Sequence, residues 1–329
     1  MKVALINMPF ASIYRPSIGL SLLKAGLQKR DIDCDIHYLN LKFADKITPE
    51  LYDAFAEGKI FSSNALAGEM VFSESLFKKD TLDEYIQEAK PKFKRTTLQD
   101  YELIRKARSY VESFLNECLE SINWNDYTVI GFTSVFEQNV ASLSLAKRLK
   151  EKFPNKFIML GGANCEETMG LELLKKFPFI DAICSGEGDY SFVNFIYEWK
   201  ENNVIKNDID GVFLQTDNAL TMMKKKPMGK SIQNLDELPT PEYSDYFEQF
   251  VSCGFKDLVY KTRFLFESSR GCWWGQKHHC VFCGLNGGNM SFRSKSANRV
   301  LEELVYLNKK YNQYTSKATA VDNIIDMNY

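Results

Sequence analysis

The sequence predicts a doubly wound, Rossmann-like α/β domain with a helical insertion, followed by the opening units of a second α/β domain. Three observations predict it. Short apolar runs alternate with helix-period segments over residues 1–40 and 128–215. The alternation lapses between about 41 and 125, and it restarts near Phe255 after a proline-marked stretch. The 329 residues are 45% hydrophobic and 26% charged, which suits about two domains. A net charge of −2 supplies no basic field for nucleic acid. Lys224, Lys225 and Lys226 read as a solvated turn. No run approaches the roughly 18 apolar residues of a membrane span. Met1–Asn7 reads as a strand start and not a signal peptide, so a cytoplasmic setting is expected, where thiols stay reduced.

In chain order, Lys2–Pro9 reads as a buried first strand that stops at proline. Pro16 then opens a helix whose apolar positions 18, 20, 22, 23 and 27 face a sheet. Cys34–Leu39 is the second strand. Helices are expected at 48–57, 82–90 and 100–122, the last with the stripe Tyr101, Ile104, Ala107, Val111, Phe114, Leu115 and Cys118. Alternation resumes with strands at 128–135 and 157–162, a strand and loop at 182–188, and helices at 139–152, 166–177 and 190–201. Asp210–Gln215 and Ala219–Met223 read as a hairpin around Asp217 and Asn218. The first domain is thus 1–223. Residues 224–254 read as a linker holding a short helix from Tyr243 to Phe250, and 255–329 as the second domain. That domain has a strand at 263–267, a helix at 297–312 and a strand at 319–325.

Four strand-end loops fall on one edge of the first domain: 8–18, 134–138, 161–166 and 185–190. They carry Ser134, the pair Gly161 and Gly162, and Gly186, Glu187 and Gly188. A diglycine alone is often only a tight turn. Together these features describe a cleft where backbone comes close to a large flat ligand, at the place α/β sheets bind ligands.

The densest chemical signal is a Gly-rich loop after the strand end Phe264–Phe266. It holds Cys272, Cys280 and Cys283 within twelve residues. Three soft thiolates suit an iron–sulfur cluster with one iron left free. They also suit zinc, with His278 or His279 as a fourth ligand. Unrelated buried cysteines are the third reading. Cys34, Cys118, Cys165, Cys184 and Cys253 are scattered and read as small core residues.

The run Ser268–Gly275 (Ser-Ser-Arg-Gly-Cys-Trp-Trp-Gly), the Cys280–Asn286 run, Phe292–Lys295, Arg299–Leu304 and Asp322–Tyr329 together resemble one group of enzymes. These are the radical SAM enzymes that mature ribosomally made peptides, more narrowly their cobalamin-dependent C-methyltransferases. Seven residues separate Cys272 from Cys280, as in that branch. The resemblance implies a [4Fe–4S] cluster on Cys272, Cys280 and Cys283 with S-adenosylmethionine on its fourth iron. His278 and His279 would then pack around the cluster. It makes the first domain a cobalamin-binding domain. Ser134, Gly161 and Gly162 would flank the channel for the nucleotide tail, Gly186, Glu187 and Gly188 would lie near the tail, and the 8–18 loop beneath the corrin. That loop has no histidine, so base-off cobalamin without a histidine ligand is expected, with Tyr14 and Arg15 as candidates for the lower face. The implied activity is methylation of a carbon of a precursor peptide, with a flavodoxin- or ferredoxin-like reductant. A radical SAM barrel needs about six β/α units and this sequence holds about one and a half. It is therefore expected to be the N-terminal part of a longer protein, with residues for adenosine and substrate in strands beyond it.

Overall fold

Six short strands carry the apolar runs read from the sequence: β1 (Lys2–Asn7), β2 (Asp33–Tyr38), β3 (Val129–Thr133), β4 (Phe157–Gly161), β5 (Ala182–Cys184) and β6 (Val212–Leu214). The computed structural model describes residues 1–206, 208–215, 229–278, 280–281, 283–284 and 290–327. The second arm of the expected hairpin, the triple-lysine run and His279 lie outside them. The strand order is β2-β1-β3-β4-β5-β6. The first five strands are parallel, and β6 runs antiparallel to β5. In β1, Leu5 sits between Ile36 of β2 and Gly131 of β3. Val3 to Ile6 are at most 2% exposed, as a strand covered on both faces requires.

Helices cover both faces. Ile18–Gln28 is capped by Ser17, whose hydroxyl accepts from Leu20 N at 3.4 Å. It packs beside Gly188–Asn202, while Asn139–Lys152 packs on the insertion helix Ala67–Phe77. The chain leaves β1 for β2 on one side and returns to β3 on the other. The loops after β1 and β3 therefore diverge and open a crevice at the carboxyl edge of the sheet.

The insertion is more helical than expected: Leu39–Ile47, Pro49–Ala56, Ala67–Phe77, Leu82–Ala89, Leu98–Arg108 and Val111–Glu120. The expected 100–122 helix is two helices joined at Ser109 and Tyr110, and its whole apolar stripe is buried. Ala67–Phe77 escapes a periodicity argument because it buries Gly68, Ser73 and Ser75 along with Val71, Phe72 and Leu76. Phe10, Phe43, Phe72 and Phe114 pack ring to ring and tie this insertion to the loop after β1.

Residues 244–250 of the stretch read as a linker close the open edge of β2. Gln249 accepts from Tyr38 N at 2.8 Å and donates to Ile36 O at 2.7 Å. Asp245 accepts from Ile36 N and from Lys24 Nζ, at 2.7 and 2.6 Å. An edge satisfied in this way cannot recruit a foreign strand.

The last part of the chain holds β7 (Phe264–Phe266), paired in parallel with β10 (Ala318–Ala320) across the helix Ala297–Tyr311. A short ribbon absent from the sequence reading joins β8 (Ser269–Arg270) to β9 (Arg293–Ser294). Tyr243 locks this part to the rest: its N–H donates to the Tyr311 hydroxyl and its hydroxyl to Leu265 O, at 2.8 and 2.6 Å. No helix among the described residues is long and apolar enough to cross a membrane.

Candidate functional site

Three hollows that share lining residues run along the carboxyl edge of the sheet toward the cysteine loop. The inner one is a channel of about 320 Å³ between the sheet and the helix Ile18–Gln28, lined by Leu5, Gly19, Gly131, Met159, Gly188 and Phe192 among others. Gly131 keeps it open: a Cβ there would stand 3.0 Å from Leu5 and 3.8 Å from Phe192. Its mouth widens into a cleft of about 950 Å³ beneath the loop after β1, with Arg15, Phe55, Glu57, Glu137 and Leu265 on its walls. A third cavity of about 440 Å³ runs from Gly186 and Glu187 to Gly271 and Arg293 beside the cysteine loop.

Five charged side chains form the wall between channel and loop. Arg270 Nη1 stands 2.7 Å from Asp189 Oδ2 and 3.2 Å from Glu187 Oε2, and its Nη2 is 2.7 Å from Glu267. Arg293 grips the other side of Glu187 at 2.6 Å. Burial works against the Arg270 charge, but Asp189 and Glu267 more than offset it and hold the guanidinium protonated. Burial would likewise raise Glu187, yet Arg293 and Arg270 hold it below the usual carboxylate range. Arg270 lies two residues before Cys272, so the first-domain loop 186–189 directly positions the start of the cysteine loop.

Cys272, Cys280 and Cys283 are all half-buried and outside any disulfide. The Cys272 sulfur accepts from Gly275 N at 3.2 Å, and Cys283 N donates to Cys280 O at 3.0 Å. Among the described residues no three His, Cys, Asp or Glu side chains stand close enough to hold one ion. Sulfur ligands are drawn together by the metal they share. The donor set itself, three accessible thiols on one loop, fits an iron–sulfur cluster. His278 packs against Trp274 with ring centroids 5.3 Å apart and the planes tilted by 51°.

The other expected site residues divide. Gly161, Gly162, Gly186, Glu187 and Gly188 all line the channel. Gly162 has φ +96°, and a Cβ there would stand 2.7 Å from Ser134 O. Ser134 itself is fully buried behind the wall. Its hydroxyl donates to Asn139 at 3.3 Å and accepts from Asn164 at 3.0 Å, and Thr133 lines the cleft in its place. Arg15 stands at the cleft rim, tied to Glu57 at 3.0 Å. The Tyr14 hydroxyl instead donates to Asp53 at 3.3 Å, and its ring carries Lys261 at 5.4 Å.

Sequence reasoning missed a polar floor. Gln138 donates to Asn7 Oδ1 at 2.9 Å and Met8 O at 2.6 Å, and Asn7 donates to Asn40 at 3.2 Å. Only polar residues directly after strands hinted at it. Below lie two carboxyls, Glu137 buried and Glu69 half-buried. Glu137 accepts from Gly68 N, and Glu69 from Asn139 N and Val140 N at 3.0 and 2.7 Å. Burial pushes both up to about 7, and Glu69 adds to the rise at Glu137. A carboxyl with a raised folded pKa binds its proton more tightly in the folded state, so its stabilisation is lost as pH climbs from the ordinary carboxylate range to about 7. Glu137→Gln, which keeps the acceptor, is expected to reduce the fall in melting temperature between about pH 5 and pH 7.5 in a fluorescence melt. An unchanged slope would remove Glu137 from this titration.

A doubly wound sheet with a carboxyl-edge crevice is thus set beside a three-cysteine loop that is a candidate metal centre. No protein-family model matches the chain. It is 29% identical over 189 residues to an uncharacterized methyltransferase of Pyrococcus horikoshii (56% of this chain, 38% of that protein). It is 24% identical over 162 residues to the cobalamin-dependent radical SAM methyltransferase TokK of Streptomyces tokunonensis (49% and 22%). It is 27% identical over 163 residues to the anaerobic magnesium-protoporphyrin IX monomethyl ester cyclase of Synechocystis (50% and 30%). Among solved structures, the cobalamin-dependent S-adenosylmethionine radical enzyme OxsB, with aqua-cobalamin bound, overlays with a TM-score of 0.59 and 14% identity (98% of this chain, 34% of that one). The radical S-adenosylmethionine methyltransferase TsrM from Kitasatospora setae, with cobalamin and a [4Fe–4S] cluster bound, overlays at 0.52 and 11% (98% and 47%). The chain thus shares its fold with part of these enzymes. Its matches span less than half the length of each of these relatives and structures.

Proposed function

We propose that this chain carries the cobalamin-binding and cluster-binding parts of a radical SAM methyltransferase, and that the whole protein methylates a carbon of a ribosomally made peptide. The observation that carries the reading is the placement of a glycine-lined channel and the three-cysteine loop on the two sides of one wall built around Arg270. The similarity to two methyltransferases, that of Pyrococcus horikoshii and TokK, supports the methyltransferase part. The peptide substrate and a flavodoxin- or ferredoxin-like reductant rest on the resemblance of the Cys272–Cys283 segment.

In this reading the channel takes the nucleotide tail and the wider cleft the corrin. Gly131 supplies room at the wall, and the apolar lining from Leu5, Met159 and Phe192 excludes water. Cys272, Cys280 and Cys283 would hold the cluster. When bound, the cluster with S-adenosylmethionine and the cobalamin supply the one-electron and methyl-carrier chemistry. Arg270 and Arg293 set the distance between the two sites by fixing both ends of the wall to Glu187. The loop after β1, residues 8–18, holds no histidine to reach cobalt.

The test is anaerobic reconstitution with iron, sulfide and hydroxocobalamin, followed by metal and corrinoid analysis. About four irons and one corrinoid per chain are expected. Cys272→Ala is expected to lose the cluster absorbance and nearly all iron while retaining corrinoid. A colourless wild-type protein, or one zinc in place of iron, would defeat the reading.

A further inference from the structure

We infer that the helical insertion carries a second binding site, beside the cleft mouth, for an acidic peptide segment. This deepens the peptide-substrate reading and rests on it. The site is a cavity of about 580 Å³ lined by Lys59, Lys92, Phe93, Lys94, Arg95 and Thr96, with Gly58, Ile60, Ser62 and Asp100 completing its wall. Gly58 and Ser62 also line the large cleft, so the two hollows share a rim. A chain lying in the cleft can continue into the cavity without leaving the surface.

Positive charge is locally dense here. The protein has 41 basic and 43 acidic residues, yet Lys90 to Arg95 places four cations in six positions. Several other cations of the insertion are paired, Lys46 with Glu117, Arg105 with Glu102 and Arg108 with Asp80, as is Arg148 of the helix beneath with Glu112, whereas Lys42 reaches only the Ser121 hydroxyl. Lys92, Lys94 and Arg95 have no carboxylate within ion-pair distance among the described residues. Lys59 is satisfied by Asp53 at 2.7 Å. The one acid in the wall, Asp100, is engaged as a helix cap, accepting from Thr97 N and Oγ1 at 2.7 and 2.8 Å. Three neighbouring cations are thus left facing solvent over a concave surface, at a cost in mutual repulsion that an anionic ligand would relieve.

The arrangement favours a peptide over a single phosphate. A phosphate is cradled by donors that converge on one point, often with backbone N–H groups and a bidentate arginine. Here the cations are exposed and spread along a chain turn, which matches several carboxylates carried by a flexible segment. Phe93 adds a half-buried apolar surface between them.

The experiment titrates a fluorescein-labelled hexaglutamate peptide into the full chain and follows anisotropy. Saturable binding is expected, weakened at least tenfold when sodium chloride rises from 50 to 200 mM. The K92E/K94E/R95E variant is expected to lose at least tenfold in affinity, and the milder K92Q/K94Q/R95Q variant to lose less. K175E, distant on the helix Glu167–Lys176, is expected to bind as wild type. All substituted side chains are solvent-facing, and circular dichroism verifies the fold. Failure of the wild type to bind, equal binding by the charge-reversed variant, or full competition by millimolar inorganic phosphate would each overturn the inference. Iron and corrinoid contents of the same samples are read separately. Their absence defeats the proposed cofactors, whereas lost peptide binding with both cofactors present defeats only the second site.

Discussion

Replacing Arg270 with alanine is expected to cost about 3–5 kcal/mol of stability, because it strands buried carboxylates without their cation. The Arg270, Asp189 and Glu267 side chains are 17%, 12% and 8% exposed. Glu187 keeps Arg293 after the change, but Asp189 and Glu267 keep no comparable partner. Arg270→Lys is expected to recover part of the loss, since a single ammonium restores charge but cannot serve three carboxylates in a fork. Adding Asp189→Asn and Glu267→Gln to Arg270→Ala is expected to restore stability, because two uncharged amides need no counter-ion. Urea unfolding of the four proteins checks this. A loss under about 1 kcal/mol for Arg270→Ala would show that water reaches the carboxylates and that the pairing is worth no more than a surface bridge. The same variant releases Cys272 from the wall, so lower cluster yield at unchanged corrinoid content is the accompanying expectation.

The second large effect is expected from Gly131→Leu. Gly131 is the middle of β3, and its missing side chain is the space between Leu5 and Phe192 that forms the channel. A leucine there would fill the channel from within, with apolar neighbours to receive it. Stability should therefore change by less than about 1.5 kcal/mol if the leucine packs, while corrinoid affinity falls at least a hundredfold, about 2.7 kcal/mol. Absorbance titration with hydroxocobalamin gives the affinity, and iron content should stay unchanged. Wild-type corrinoid affinity in this variant would mean that the tail does not enter this channel. Gly162→Ala makes a different perturbation: its clash is with backbone at Ser134, so it strains the wall and does not plug the channel.

How far the site was legible follows from which signals are local. The alternation of β1, β2, β3, β4 and their helices is visible because each strand is a short apolar run and each helix repeats its own period. The stripe from Tyr101 to Cys118 is visible for the same reason, and all of it is buried. Ala67–Phe77 was hidden because a helix packed on several sides buries glycine and serine along with apolar residues. The role of 244–250 was hidden because Asp245 and Gln249 act on β2, more than 200 positions away. Ser134 illustrates the reverse: its place after a strand marks the right edge of the sheet, but one residue decides whether a side chain faces the cleft or lies behind it, and Thr133 faces it.

The sequence by itself determined the α/β class, the carboxyl-edge glycines and the three-thiol loop, because strand alternation, backbone room at glycine and ligand chemistry are all written in neighbouring residues. Only the tertiary structure decided that Glu187 and Asp189 meet Arg270 and Arg293, that Asn7, Asn40 and Gln138 share one polar floor, and that an unpaired basic cavity opens at the cleft mouth. Those are pairings between residues 30 to more than 100 positions apart, and their partners are set by sheet order and helix packing, which no local pattern encodes.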